Sequence, residues 1–226
     1  MISVCTNLPP SVRLSQVLCV LSGWECWCWE LDKERFEKQV DFILEIDKEK
    51  NILRQTHLTG HGRQENDAEH AWHMAIMCYL LKEYANEPFD LAKTMMMALI
   101  HDIVEIDAGD TYAYDEKAKE TEAERENAAA ERIFGLLPAD QEQELRGLWE
   151  EFTAYETVEA RFAHVMDNFQ PLLLNDSNGG GDWKSHGIRR AQPEKRNEKT
   201  HTGSEEIWEY MKQILDRNVE RGSLLP

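Results

Sequence analysis

Apolar residues recur with the period of an α-helix along most of the chain. In residues 31–53 they fall mostly three or four positions apart, for example at Phe36, Val40, Ile43 and Leu44, which places them on one face of a helix. No segment alternates apolar and polar residues as a half-buried strand does. The sequence therefore predicts an all-α fold. The same analysis predicts further helices over residues 68–85, 89–105, 115–137, 139–152, 157–175 and 204–222.

Polar residues and glycines separate these helices. Residues 56–67 contain two glycines and predict a loop, and Asn66 or Asp67 is placed to cap the helix that follows. The next two helices are separated only by a short turn, Asn-Glu-Pro, at residues 86–88. Residues 176–203 are the longest stretch without a helical period, and a loop of that length is usually either functional or mobile.

The first 30 residues do not follow the helical pattern. Their apolar run at residues 12–24 is too short to span a bilayer as a helix and has no clear small-residue cleavage site. We expect residues 1–30 to be an irregular N-terminal extension and residues 31–226 to form a single globular helical bundle. No other segment approaches membrane-spanning length, so no interaction with a membrane is predicted.

The charge of the chain limits its partners. Its 226 residues include 43 acidic and 25 basic side chains, for a net charge of −18. Such a surface repels nucleic acid, because non-specific binding depends on Lys and Arg that neutralise phosphates. A small phosphorylated substrate is compatible with this charge if a metal ion or a local Arg reverses the field in the binding site. The odd number of cysteines, five, favours a reducing compartment, so we predict a cytoplasmic protein.

An apolar helix end is followed abruptly by ionisable residues within positions 95–110. The segment reads MMMALIHDIVEIDAGD, and its second half includes His101, Asp102, Glu105 and Asp110. Burying several unpaired carboxylates is costly, and a divalent cation is a usual remedy. The alternative is an ordinary solvated helix end, which needs no ligand.

Two residues from other helices are candidates to join this segment. His70 lies near the start of the helix that precedes the turn at 86–88. Helices joined by a short turn pack antiparallel, so His70 is expected to approach His101 and Asp102. Asp167 lies in an apolar helical pattern, where a carboxylate needs a partner; a salt bridge in the core is the alternative to a metal ion.

The ordered set His70, His101-Asp102 and Asp167 resembles the H…HD…D signature of the HD-domain superfamily, which are metal-dependent phosphohydrolases of all-α fold. The segments RQENDAEHAWHMA and LIHDIVEIDAGD look most like the branch related to bacterial 5'-deoxynucleotidases. The similarity extends in order from about residue 36 to residue 221. It implies an HD-domain helical bundle and is compatible with a homodimer.

The resemblance also implies roles for individual residues. One divalent metal ion would be held by four side chains: His70, His101, Asp102 and Asp167. Two imidazoles and two carboxylates suit Mn, Co, Mg, Fe, Ni or Zn, which leaves the metal's identity open. Glu105 matches the acidic position after the HD pair and is the candidate to orient or deprotonate the attacking water. Asp110 matches a second acidic residue, which lies near the phosphate and sugar in the deoxynucleotidases, and is the second catalytic candidate, for protonation of the leaving group.

One departure from the family affects the substrate contacts. The deoxynucleotidases have an Arg-Trp pair before their first His, whereas this chain has Gln55-Thr56 at the equivalent spacing. Arg54 or Arg63 is then the candidate phosphate contact, because a guanidinium suits a phosphate. His73 is a further candidate for the substrate pocket. The preference for deoxyribose is left open.

The sequence thus predicts a metal-dependent hydrolase of phosphate monoesters, with nucleoside 5'-monophosphates as the expected substrates. Two alternatives remain at this point. One is hydrolysis of a phosphodiester or pyrophosphate in a signalling nucleotide. The other is a helical module that binds a metal ion or nucleotide without catalysis, although a water-activating Glu105 would have little use there.

Overall fold

The computed structural model describes residues 32–109 and 121–226, and this part of the chain is mostly helical, as predicted. Its helices are α1 (Lys33–Ile46), α2 (Asp67–Leu80), α3 (Leu91–Ile100), α4 (Glu105–Ala108), α5 (Glu122–Phe134), α6 (Ala139–Ala154), α7 (Val158–Ser177), α8 (Gly181–Ser185), α9 (Ala191–Asn197) and α10 (Glu205–Glu220). The predicted extension at residues 1–30 lies outside the described residues. None of the described helices is long and apolar enough to cross a bilayer.

Helix α7 lies at the centre of the bundle. It packs against α2, α3, α6 and α10. Its fully buried side chains include Phe162 and Met166, which join Met74 of α2 and Met211 of α10 in one core cluster. Because the core surrounds α7, a polar residue on this helix, such as Asp167, is held between its neighbours.

The start of helix α2 is fixed by the predicted cap. The Asn66 side chain accepts a hydrogen bond from the Glu69 backbone N–H, and the Glu69 carboxylate accepts one from the Asn66 N–H. This reciprocal arrangement satisfies two of the amide groups that a helix start leaves without partners. His70 follows directly and is therefore set in the first turn of α2.

The structure corrects the prediction for residues 47–66. The first helix ends at Ile46, a 3₁₀ turn follows at Asp47–Asn51, and residues predicted as helix end and loop form an antiparallel hairpin. Its strands are β1 (Leu53–His57) and β2 (Gln64–Asn66). The hairpin gave no strand signal because its inward-facing residues, Arg54 and Glu65, are charged.

The long stretch at 176–203 is also more regular than predicted. It contains α8, α9 and a 3₁₀ turn at Glu198–Thr202. Gly180 has a φ of +70°, and a Cβ at this position would collide with the side chain of Ser223. The turn after α7 therefore needs glycine there, and it returns the chain so that Trp183 is buried in the core.

Candidate metal centre

The two histidines of the predicted cluster come together at adjacent helix ends. His70 lies in the first turn of α2 and His101 follows the last residue of α3, and their ring centroids are 5.5 Å apart. This is the approach expected for antiparallel helices. The predicted helix over 89–105 is wrong at its end, however, because α3 stops at Ile100 and residues 101–104 form a tightened turn before α4.

Four side chains direct their donor atoms at one point in the interior. His70 Nε2 lies 3.1 Å from Asp167 Oδ1, and His101 Nε2 lies 3.0 Å from Asp102 Oδ2. His101 Nε2 is also 4.0 Å from Asp167 Oδ1. The ligand atoms of His70, His101 and Asp102 all lie within 4.8 Å of one another, and these three residues are buried. The structure therefore gathers all four residues that the sequence proposed as ligands.

The tautomer of His101 suits a metal ligand. Its Nδ1 lies 2.9 Å from the carbonyl oxygen of Ala98. A carbonyl can only accept, so Nδ1 carries a proton and Nε2 is the atom that faces the cluster. That buried Nε2 has no hydrogen-bond partner within the described residues, because Asp102 Oδ2 is close but not aligned for a hydrogen bond.

The charges at the centre are those that a cation would stabilise. Burial would raise the pKa of Asp167, but its close contact with His70 and the charge of His101 lower it well below its usual range. Burial would likewise raise the pKa of Asp102, whereas His101 and Arg54 lower it. Burial and Arg54 lower the pKa of His70 to about 4. Both carboxylates are therefore ionised at neutral pH, and His70 is neutral.

His101 holds a proton that a metal ion would replace. Burial would lower the pKa of His101, but Asp102 raises it to about 9. At neutral pH the metal-free protein thus balances Asp102 with a proton on Nε2 of His101. A divalent cation would supply that balance with a higher charge, and two imidazoles with two carboxylates are a ligand set suited to such ions. These four side chains therefore fit the divalent metal ion that the sequence implied.

Arg54 lies beside the cluster. Its Nη1 donates to Asp102 Oδ2 at 2.7 Å and to Asp67 Oδ1 at 3.2 Å, and its side chain is only 12% exposed. Burial would lower the pKa of Arg54, but Asp102, Asp167 and other carboxylates raise it above its ordinary value. The side chain that was predicted to contact phosphate thus holds a proposed metal ligand in place.

A polar cavity of about 340 Å³ opens onto the centre. His101, Asp102 and Asp167 form part of its lining. The remaining lining residues are Val104, Glu122, Glu126, Trp149, Phe152, Thr153, His164 and Arg196. The cavity is therefore large enough for a small molecule to reach the same point at which the donor atoms converge.

The other predicted site residues either do not line the cavity or lie outside the described residues. Arg63 is exposed and pairs with Glu69, and His73 lies 3.2 Å from Gln170 through its Nδ1. Glu105 begins α4, where its backbone N–H donates to the Asp102 carbonyl at 2.8 Å. None of these residues is among the described residues that line the cavity. Asp110 lies outside the described residues.

The sequence analysis did not predict His164, which lines the cavity. The side chain is 18% exposed, and its ring stacks on Phe152 with centroids 3.9 Å apart. Its Nε2 donates to the Phe152 carbonyl at 2.9 Å. A signal was present, because His164 and Asp167 are three positions apart on one helix and such residues share a face.

Glu126 was also missed, and Arg196 had no sequence signal at all. Glu126 precedes the buried Ala129, Ala130 and Ile133 by three, four and seven positions, which places it on the inner face of α5. Burial raises the pKa of Glu126 to about 7, and nearby carboxylates add to the shift. Arg196 reaches the cavity only through the tertiary position of α9.

Comparison with known proteins identifies the family to which this chain belongs. The family model described as HD domain matches residues 46–208. A predicted metal-dependent phosphohydrolase from Magnetospirillum magnetotacticum, of known crystal structure, is 49% identical, with a TM-score of 0.83 over 87% of this chain and 99% of that one. A protein from Pyrococcus horikoshii, at 18% identity and a TM-score of 0.54, shares the fold.

Curated relatives match a shorter part. The human 5'-deoxynucleotidase HDDC2 is 32% identical over 111 residues, which are 49% of this chain and 53% of the relative. The Dictyostelium discoideum 5'-deoxynucleotidase HDDC2 is 31% identical over 128 residues, or 54% and 67%. The match thus spans about half the length of the human relative. The chain belongs to the HD-domain phosphohydrolase family and is related to the 5'-deoxynucleotidases.

Proposed function

We propose that this chain is a metal-dependent phosphomonoesterase that hydrolyses nucleoside 5'-monophosphates. The observation that carries the proposal is the convergence of four donor side chains beside a polar cavity. Three of them, His101, Asp102 and Asp167, line the cavity. These three side chains and the fully buried His70 are called the floor of the cavity. Two of these side chains are ionised carboxylates and two are histidines. Such a set favours binding of a cation over binding of a neutral small molecule. A phosphate ester bound beside a cation there would have its charge balanced.

His70, His101, Asp102 and Asp167 would hold one divalent cation. When bound, such an ion lowers the pKa of water and neutralises charge on a phosphoryl oxygen. Arg54 keeps Asp102 oriented and ionised through their 2.7 Å contact. Glu105 remains the candidate to orient or deprotonate the attacking water, because it directly follows the turn that carries His101 and Asp102.

We propose Arg196 as the phosphate contact. Arg54 pairs with Asp102 and Asp67, and Arg63 pairs with Glu69, so both guanidinium groups are engaged. Arg196 lines the cavity, is exposed, and forms no ion pair within residues 32–109 and 121–226. A guanidinium in this position can bind phosphate oxygens through two parallel hydrogen bonds.

The nucleotide class is inferred from relatives that are named 5'-deoxynucleotidases. The sugar preference is a separate question, because Gln55-Thr56 stands where those enzymes have an Arg-Trp pair. In this structure both residues belong to β1, beside Arg54. We therefore expect activity on 5'-monophosphates and do not assign ribose or deoxyribose.

The test is phosphate release from a panel of ribo- and deoxyribonucleoside 5'-monophosphates. Protein stripped with a chelator is assayed alone and after addition of Mn²⁺, Co²⁺, Mg²⁺ or Zn²⁺. Asp102→Ala is the diagnostic variant, and Asp41→Ala, which removes an exposed Asp from α1, is the matched control. We expect metal-restored activity in the wild type and in Asp41→Ala, and its loss in Asp102→Ala.

Two other results would redirect the proposal. Hydrolysis only of a diester, to a monoester and an alcohol, or only of a pyrophosphate, assayed in parallel by separation of the products, would contradict the monoesterase assignment and keep the metal site. Retention of metal with no hydrolysis of any phosphate ester would favour a binding module.

A further inference from the structure

Gln170 lies in the interior next to the candidate metal centre. It follows Asp167 by three positions on α7 and is fully buried. Its amide makes three contacts, each with an ionisable residue. Oε1 lies 3.0 Å from His70 Nδ1, while Nε2 lies 2.6 Å from Glu65 Oε1 and 3.2 Å from His73 Nδ1.

These contacts determine which way the amide of Gln170 points. An amide NH₂ group donates two hydrogen bonds, and Glu65 and His73 offer two acceptors on that side. The opposite orientation would place the amide oxygen 2.6 Å from a carboxylate oxygen. Two acceptors at that distance repel each other, so the observed orientation is the stable one.

The orientation of Gln170 in turn determines the tautomer of His70. The oxygen of Gln170 can only accept, so His70 must carry its proton on Nδ1. Oε2 of Glu65 lies 3.8 Å from the same nitrogen, so a second side-chain oxygen lies on that side of the ring. Nε2 of His70 is then left with its lone pair, which faces Asp167 Oδ1 3.1 Å away. Two acceptors at that distance repel each other unless a cation lies beside them, so this tautomer suits the metal-bound protein.

We infer that Gln170, held by Glu65, is a positioning residue that fixes His70 as an Nε2 ligand. The two histidines thus each have Nδ1 hydrogen-bonded away from the centre, but by different means. His101 donates its Nδ1 proton to a backbone carbonyl, which no substitution of a side chain removes. His70 depends on two side chains, one from the hairpin and one from α7, so its orientation can be altered by mutation.

The size of the effect follows from the role of such partners in other metal sites. Loss of a hydrogen-bond partner to a ligating histidine typically costs about 10- to 100-fold in metal affinity or activity. This inference rests on the metal site of the proposed function and not on the substrate. It is therefore tested by metal affinity and by the histidine tautomer, without a hydrolysis assay.

Gln170→Met keeps the approximate size of the side chain but cannot accept the proton of His70. The matched control is Asn175→Leu on the same helix, which removes another buried amide, one that donates to the Pro171 carbonyl away from the centre. The double variant Glu65→Gln/Gln170→Glu exchanges the amide and the carboxylate. It restores an acceptor for His70 and a donor beside it, and serves as the rescue.

Two measurements are made. Calorimetric titration of chelator-stripped protein with Co²⁺ gives the dissociation constant. Long-range ¹H–¹⁵N correlation spectra of the Zn²⁺-loaded protein, which is diamagnetic, give the tautomer of His70, because without a cation Asp167 competes for a proton on Nε2. We expect the Nδ1–H tautomer in the wild type, Asn175→Leu and the double variant. Gln170→Met should lose this tautomer preference and bind Co²⁺ about 10- to 100-fold more weakly.

An Nε2–H tautomer of His70 in the wild type would overturn the inference, whether or not the protein hydrolyses nucleotides. An unchanged Co²⁺ affinity in Gln170→Met would overturn it as well. An equal loss of affinity in Asn175→Leu would also overturn it, because the effect would then reflect general loosening of α7.

Discussion

The floor and the rim of the cavity are built in different ways. On the floor, the four proposed ligands are largely buried and their orientations are set by contacts within the protein, such as those of His101 with Ala98 and of Asp102 with Arg54. The rim is the exposed part of the cavity lining that includes Arg196. This side chain has no ion-pair partner within the described residues. The floor is thus preorganised for a cation, whereas the rim leaves a charge available for a ligand.

The difference supports the proposal that the floor binds the metal ion and the rim binds the substrate. A metal ion requires ligands at fixed distances, and buried side chains held by hydrogen bonds provide them. A substrate that enters and leaves needs charges that remain accessible. We therefore expect substitutions on the floor to abolish metal binding and activity together, and substitutions on the rim to change substrate binding alone.

The largest effect is expected from Asp167→Asn on the floor. The change removes the charge of a proposed ligand and leaves the shape of the side chain almost unchanged. Because loss of an outer partner already costs about 10- to 100-fold, loss of a direct ligand should lower kcat/KM by more than about 100-fold. Activity is measured at saturating Mn²⁺, with bound metal determined on the same sample. Normal metal content in an inactive variant would contradict the assigned role.

A smaller effect is expected from Arg196→Ala on the rim. A hydrogen bond to a charged group contributes about 1.5–3 kcal/mol, so KM for a nucleoside monophosphate should rise by about 10- to 100-fold. The affinity for Mn²⁺ should not change. Lys195→Ala removes the same charge from the neighbouring position of α9, outside the cavity lining, and is the control. Equal effects of the two variants would reduce the role of Arg196 to general electrostatics.

The smallest effect concerns the stability of the metal-free protein and involves Glu49, a buried residue of the 3₁₀ turn after α1 whose pKa responds to burial and to the charges of Asp102 and His101. Burial raises the pKa of Glu49 to about 8 from an ordinary value of 4.5. A raised pKa contributes stability that is complete below pH 4.5 and is lost as the pH rises through 8. Glu49 should therefore contribute a loss of stability between about pH 5 and pH 8 in the chelator-treated protein. Glu65 and His101, whose pKa values are raised to about 7 and about 9, act in the same direction. His70, whose pKa is lowered to about 4, acts in the opposite direction below about pH 6.5.

Glu49→Gln isolates one part of this pH dependence. The variant should lose less stability than the wild type as the pH rises, so that its Tm at pH 8 is a few degrees higher, about 2–4 °C for each kcal/mol. Thermal unfolding is followed at pH 5 and pH 8 with chelator present. Glu83→Gln at an exposed position should keep the wild-type slope. A variant that remains as pH-sensitive as the wild type would exclude Glu49 as the source.

The floor could be predicted from the sequence because its residues lie on well-defined helices. A capped helix start placed His70, an apolar helix end placed His101, and a short turn between the helices implied their approach. The supporting residues were harder to predict. Arg54 and Glu65 lie on a hairpin whose inward face is charged, so the alternation that indicates a strand was absent.

The rim could not be predicted because it depends on how distant segments fold back on the site. Arg196 comes from a stretch that the sequence analysis expected to be irregular. Its position follows from packing of α9 against the 3₁₀ turn at Glu198–Thr202, which in turn packs against α7 and α10. His164 is the intermediate case. Its spacing from Asp167 was sufficient to predict a shared helix face, but a single histidine on a helix did not indicate the cavity.

The most direct test of the account is the location of a bound ion. Crystals of the chelator-stripped protein are soaked in Zn²⁺, and anomalous diffraction is collected at the zinc edge. The account predicts one strong peak about 2.0–2.2 Å from donor atoms of His70, His101, Asp102 and Asp167. A site without a peak at full Zn²⁺ exposure, or a peak held by other residues, would contradict the claim that these four side chains form a metal centre.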